Sequence, residues 1–269
     1  MAGHNEIDEI TGTETTGHEW DGIKELNTPL PRWWLWTFYA SIIWAVVYWI
    51  AMPAWPLVSS HTRGVLGYAS RAQVDQRVAA ARAAQSALVA RIDTASLGEI
   101  RKEPALLAFA MAGGRSAFAV NCSQCHGRGA AGSPGFANLN DDAWLWGGTL
   151  DAIHQTIRYG IRSDNEETRV GNMPAFVRDE VLTRDQAGDV AEYVLSLSGR
   201  AEDPAAAGRG DVGAPNLSDS IWLYGGDKAT IVETVSNGRG GMMPAWTGRL
   251  DSTTVKQLAI YVHSLGGGE

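Results

Sequence analysis

The five residues Cys122-Ser123-Gln124-Cys125-His126 constrain this chain more than any other feature. Cys-x-x-Cys-His is the attachment signature of a c-type haem. The two thiols add to the two vinyl groups, and their spacing brings both sulfurs to one edge of the porphyrin. His126, next in the chain, then coordinates iron from one face. These are the only two cysteines in 269 residues, so a framework of structural disulfides is excluded. A thioredoxin-like redox pair would need a βαβ setting, and a zinc site would need two further Cys or His ligands at suitable spacing. Neither is visible, and the reading is one covalently bound haem c per chain.

A low-spin electron carrier needs a second axial ligand, and methionine is a soft one that raises the reduction potential. Met173 is the candidate, within Gly171-Asn172-Met173-Pro174-Ala175-Phe176, 47 residues beyond His126. A Pro follows it in an irregular, Gly-flanked stretch, the kind of loop that presents ligands. The surrounding pattern predicts a small helical cytochrome. Gly113–Val120 leads into the motif with Phe118 facing the ring. Leu150–Tyr159 follows, with Ile153 and Ile157 inward. Arg184–Leu197 closes the unit, with Val190, Tyr193, Val194 and Leu197 as its apolar stripe and Thr183 as N-cap. Trp144, Trp146 and Arg158 are placed to touch haem edges or propionates, with core packing the alternative for the tryptophans. His154 and His263 read as structural or exposed, and His4, His18 and His61 are given no role.

No charged residue occurs between Trp33 and Val58. Trp33–Met52 supplies the roughly 20 residues that a helix rising about 1.5 Å per residue needs to cross a bilayer core. Trp33, Trp34 and Trp36 at one end and Trp55 at the other suit the two interfaces. The preceding residues 1–32 hold seven acids against Lys24 and Arg32, unlike a short basic signal peptide. They read as a disordered acidic tail on a retained anchor. Because c-type haem is attached outside the bacterial cytoplasm, the tail is expected to be cytoplasmic and the remainder periplasmic. Ser70–Ile92 reads as a helix joining the anchor to the soluble part. The formal net charge of −8 argues against nucleic acid as a partner.

The second half of the soluble region repeats the first. Asn138-Leu139-Asn140-Asp141-Asp142-Ala143-Trp144-Leu145-Trp146-Gly147-Gly148 recurs 78 positions later as Asn216-Leu217-Ser218-Asp219-Ser220-Ile221-Trp222-Leu223-Tyr224-Gly225-Gly226. Met173-Pro174-Ala175-Phe176 recurs as Met243-Pro244-Ala245-Trp246, and Tyr193, Val194 and Leu197 recur as Tyr261, Val262 and Leu265. The attachment motif does not recur: at the same offset stand Arg200, Asp203 and Pro204. The expected fold is therefore all-α, with one N-terminal transmembrane helix, a c-type cytochrome domain and a truncated second cytochrome c-like unit. Its expected parts are an acidic cytoplasmic tail (1–31), the transmembrane helix (32–57), a periplasmic linker helix (58–105), the haem domain (106–200) and the repeat without an attachment motif (201–269). Met243 is left as an orphan ligand, or as one exchanged onto the sole iron in place of Met173.

An acidic tail, one anchor and tandem units with these Trp-Leu-Tyr-Gly-Gly and Met-Pro-Ala-Trp elements resemble the di-haem cytochrome c subunit of cbb3-type cytochrome oxidases, called FixP or CcoP. The resemblance runs from Trp20 to Gly267. It implies a subunit of a terminal oxidase in a bacterial inner membrane, relaying electrons from a donor cytochrome c to the mono-haem and catalytic subunits. Cys122, Cys125, His126 and Met173 match the family's first haem site, and Met243 matches the remaining methionine ligand. The second Cys-x-x-Cys-His of that family is missing. With His and Met both on iron no position is open to oxygen, so the expected role is electron transfer rather than catalysis. A haem-based gas sensor and an assembly or scaffolding subunit are the alternative roles.

Overall fold

The computed structural model describes residues 6–198 and 213–266. The segment 201–210, expected to link the two cytochrome units, lies outside the described residues, as do Arg200, Asp203 and Pro204. The chain forms two units, residues 1–83 and 84–269.

In the first unit the acidic segment is not the disordered tail that its charge suggests. Strands β1 (Thr15–Trp20) and β2 (Ile23–Leu26) pair antiparallel, with Trp20 opposite Ile23 and Thr15 opposite Leu26. Asp21 (φ 50°) and Gly22 (φ 84°) make the turn, and two successive positive φ values match the twist of a two-residue hairpin. Gly17 (φ 80°) stands where the register shifts between Thr15 and Glu19. The Thr15 side chain is buried and accepts from the Glu6 N–H at 3.2 Å, and Lys24 pairs with Glu6. The all-α expectation is corrected by this small sheet.

Helix α1 (Arg32–Ala51) is 20 residues long, apolar along its length, and buries none of its side chains within the protein. It is the one helix among the described residues long and apolar enough to cross a membrane. Its last carbonyls are met by the returning chain, since Val65 N–H donates to Ile50 and Leu66 N–H to Ala51. Gly64 makes that return possible, because a Cβ there would fall 2.5 Å from the Ala51 carbonyl oxygen. Helix α2 (Ser70–Thr94) follows, and only Ile92 near its end is buried.

The second unit takes in the end of α2, then α3 (Leu97–Lys102), started by a reciprocal Ser96–Glu99 cap, and α4 (Pro104–Asn121), with proline in its first turn. The single turn α5 (Ser123–His126) holds Cys125 and His126, with Cys122 at its N-cap. Helices α6 (Leu150–Tyr159), α7 (Arg184–Leu197), α8 (Lys228–Asn237) and α9 (Ser252–His263) are capped by Thr149, Thr183, Asp227 and Asp251 in turn. Each such cap is worth about 1 kcal/mol.

Packing does not follow chain order. Helix α9, the last of the second repeat, crosses α4 and packs on α6 of the first. Helix α7, the last of the first repeat, packs on α8 of the second. Two cores result. One holds Phe118, Ile153, Ile157, Leu258 and Val262, and the other holds Ala187, Ala191, Val194, Ile231 and Val235. The α4–α9 crossing is close because Gly113 and Gly114 present no side chain, and a Cβ on Gly114 would lie 2.3 Å from the Gln257 carbonyl oxygen. Phe118 and Tyr261 meet there at 5.5 Å between ring centroids. Its counterpart Tyr193 on α7, expected on an inward stripe, is 59% exposed, and Ala187 and Ala191 are buried instead.

Candidate functional site

The Cys-x-x-Cys-His segment occupies one tight turn. His126 N–H donates to the Cys122 carbonyl at 3.0 Å, and Gly127 N–H donates to Ser123 at 2.9 Å. Gly127 (φ 78°) then breaks the helix. The His126 ring nitrogen Nδ1 lies 2.9 Å from the Ala137 carbonyl oxygen. A carbonyl only accepts, so Nδ1 carries the proton and Nε2 keeps its lone pair for a metal. Cys125 is exposed, whereas Cys122 is half-buried and its thiol is pushed up to about 11, first by burial and then by Cys125.

Cys122 and His126 line a cavity of about 630 Å³, within the range of cofactor sites. Its walls are mainly apolar and include Phe118, Trp144, Trp146, Ile153, Ile157 and Val262. Phe118, Ile153 and Ile157 are therefore inward, as their spacing predicts. A half-buried Asp141 joins them, its carboxyl raised above the usual range by burial, with Asp142 and Asp219 adding to the effect. The second repeat supplies another wall, with Trp222 and Tyr224 from the segment equivalent to the one bearing Trp144 and Trp146. That contribution was missed in the sequence, although the repeat of Trp-Leu-Tyr-Gly-Gly was visible there.

The two candidate methionines separate. Met243 lines the cavity. Its main chain exchanges hydrogen bonds with Ile161, N–H to carbonyl in each direction, at 2.9 and 3.0 Å. Gly160 (φ 75°) backs this contact, and a Cβ there would be 2.4 Å from the Met243 carbonyl oxygen. Met173 is 39% exposed and outside the cavity wall. Its loop rests instead on the end of α8, where a Cβ on Gly238 would meet the Met173 carbonyl oxygen at 2.5 Å. Each methionine loop thus docks on the preceding helix of the other repeat.

Polar residues behind the wall were not singled out in the sequence. Arg169 stacks over Trp146 at 5.4 Å and donates to Thr156 Oγ1 at 2.7 Å, while Arg239 stacks over Tyr224 at 4.7 Å and donates to Thr234 Oγ1 at 3.2 Å. The aromatic and threonine partners are repeat equivalents, 78 positions apart. Arg158, read as a possible propionate contact, stacks on Tyr159 and does not line the cavity. His154 is half-buried outside it, and burial, Arg158 and Lys256 together lower its pKa. Among the described residues no group of three or more His, Cys, Asp or Glu is arranged for a metal.

Two family models match the chain. The N-terminal domain of cytochrome oxidase-cbb3, FixP, covers residues 12–59, and cytochrome c oxidase, cbb3-type, subunit III, covers 109–194. Curated relatives include a cbb3-type cytochrome c oxidase subunit FixP of Bradyrhizobium sp. (strain ORS 278), 53% identical with all of both chains covered. The subunit FixP of Azorhizobium caulinodans is 53% identical, over 99% of this chain and 97% of its own. The subunit CcoP of Azospirillum sp. (strain B510) is 51% identical, over 98% and 99%. The Bradyrhizobium alignment has 290 positions against 269 residues here, so 21 of them fall opposite gaps in this chain.

Proposed function

The chain belongs to the FixP/CcoP family of cbb3-type cytochrome c oxidase subunits, and from that membership we propose that it is a single-haem form in which Met243 completes the iron site. As a family member it is a cytochrome c electron-transfer subunit of the oxidase complex. The residues present fit a haem c. The cavity has the size and apolar lining of a cofactor site, Cys122 and His126 stand on its wall, and Nδ1 is engaged so that Nε2 is free to ligate. Cys122 and Cys125 would hold the group covalently, and His126 and Met243 would ligate its iron. Bound there, a haem c supplies a one-electron ferric/ferrous couple.

The protein's own residues set the conditions for that couple. Phe118, Ile153 and Ile157 exclude water, and a soft thioether ligand favours the reduced state. Trp222 and Tyr224 extend the same enclosure from the second repeat. With His126 and Met243 both ligating, the iron would offer oxygen no site, and oxygen reduction would belong to another subunit. The second repeat is a remnant: it keeps its aromatic segment, a methionine loop and a closing helix, but no attachment motif. The 21 unmatched alignment positions are consistent with loss of one such segment.

In this reading α1 anchors the chain in a bacterial inner membrane, with residues 1–31 cytoplasmic and the cavity-bearing unit periplasmic, where c-type haem is attached. Electrons enter from a donor cytochrome c and leave toward the mono-haem and catalytic subunits. The observation that carries the site assignment is that His126 and Met243 line one cavity while Met173 lies outside it. Haem content by pyridine haemochrome and intact mass tests the stoichiometry: one haem per chain supports the proposal, and two overturn it. The far-red charge-transfer band of methionine on ferric haem tests the ligand. It should vanish in M243A and persist in M173A; the reverse pattern would sink the assignment.

A further inference from the structure

We propose that Arg162 is the positioning residue that holds Met243 at the iron, by clamping the backbones of the two methionine loops together. The inference rests on Met243 being the ligand. Arg162 follows Ile161, whose main chain already grips Met243, and it sits at φ 50°, a conformation that a residue with a Cβ rarely adopts. Its own N–H is bound to the Arg169 carbonyl at 2.8 Å, so the backbone is fixed and the side chain is aimed. From there Nε donates to the Gly241 carbonyl at 2.6 Å, and Nη1 donates to the Gly171 carbonyl. Gly241 lies two residues before Met243, and Gly171 two residues before Met173. The guanidinium therefore bridges equivalent points of the two loops.

Among the described residues these two carbonyls are the acceptors of its side chain, and no carboxylate pairs with it. A planar fork with donors on separate nitrogens can serve two carbonyls at once, whereas a lysine ammonium is a single point. The neighbouring chain leaves room for it. A Cβ on Gly240 would lie 3.1 Å from Asn172 Oδ1 and 3.5 Å from Arg162 Nε. Position 240 is also the repeat equivalent of 162, so the clamp exists once and works from the first repeat only. Groups that orient a metal ligand from behind commonly change metal affinity or activity by about 10- to 100-fold when removed. Arg162 stands in that relation to Met243: it fixes the loop at the point where the sulfur must approach, and ties the unused Met173 loop to the same point.

The test uses the full-length, haem-loaded protein in detergent, with R162Q, R162K, M243A and M173A beside the wild type. R162Q should keep one covalent haem per chain but lose at least half of the far-red methionine band at neutral pH, with a lower midpoint potential. R162K, which keeps a donor without the fork, should fall between. If M243A abolishes the band while R162Q leaves both band and potential at wild-type values, the clamp is wrong and the ligand assignment stands. If M173A abolishes the band instead, the ligand assignment fails and takes the clamp with it. Should R162Q not accumulate, R162K decides alone, and wild-type band and potential in that variant overturn the proposal.

Discussion

Ile161 and Met243, 82 residues apart in the chain, hold each other by a reciprocal pair of backbone hydrogen bonds. The contact joins the end of a first-repeat helix to a second-repeat loop, and Gly160 is the residue that lets it close. A side chain at 160 would be strained by its positive φ and would strike the Met243 carbonyl. Gly160→Ala should therefore destabilise the second unit by about 2–4 kcal/mol, combining the left-handed penalty with local overpacking. Urea unfolding measures the loss, and the far-red methionine band should weaken alongside it; an unchanged midpoint would contradict the account.

Adjacent glycines in α4 should respond differently. At Gly114 the obstructing atoms are the Gln257 carbonyl and the Tyr261 Cβ, which cannot move without shifting α9. At Gly113 the obstruction is the end of the Gln257 side chain, which can rotate away. Gly114→Ala should cost roughly 1–3 kcal/mol, while Gly113→Ala should be nearer neutral because alanine is the better helix former. Thermal denaturation of the two variants side by side checks the order.

His154 gives a pH dependence with a definite sign. Burial first, then Arg158 and Lys256, lower its pKa in the folded protein below the ordinary 6.5. Above 6.5 both folded and unfolded chains carry it neutral, so it adds no slope. Below 6.5 the unfolded chain takes up the proton first, and stability falls as pH drops toward the folded value. His154→Gln should flatten the stability profile between about pH 7 and 5, within the ordinary range of histidine titration. Chemical denaturation across that window would expose a slope that survives the substitution, which would remove His154 as its source.

The hairpin in the acidic segment depends on Gly22. No atom would crowd a side chain there, so the cost of substitution is conformational alone. Gly22→Val should destabilise the β1–β2 pair by about 1–2 kcal/mol, enough to fray a two-stranded element that is marginal by itself. Amide exchange at Trp20 and Ile23 should quicken, while the haem spectrum stays as it was.

Local signals in the sequence were good guides to local structure. Thr183 caps α7 as expected, and α6 and α7 both fall on their predicted bounds. The Asp21-Gly22 turn has the residue types of a hairpin, but the seven acids around it read as a disordered tail. The inward faces of Phe118, Ile153 and Ile157 followed from spacing. Spacing could not say which loop meets which helix. Met173 and Met243 have nearly the same flanking residues, and their choice between the ends of α6 and α8 is made by packing between repeats. The same exchange explains Tyr193. Its repeat equivalent Tyr261 is covered by Phe118 of α4, and α7 packs on α8 instead of on α4.

Because α9 completes the first core, the chain's order of synthesis becomes part of its assembly. Translation delivers α4, the Cys122–His126 turn and α6 long before the helix that seals them. More than 130 residues separate the Gly114 and Gln257 positions that must meet, and closing so long a loop costs entropy that local helix formation does not. Until that closure the core around Phe118, Ile153 and Ile157 lacks Leu258 and Val262 of α9. A nascent chain released before Ser252 would lack the lid of the motif-bearing lobe, yet it would retain both helices of the lobe that has no motif.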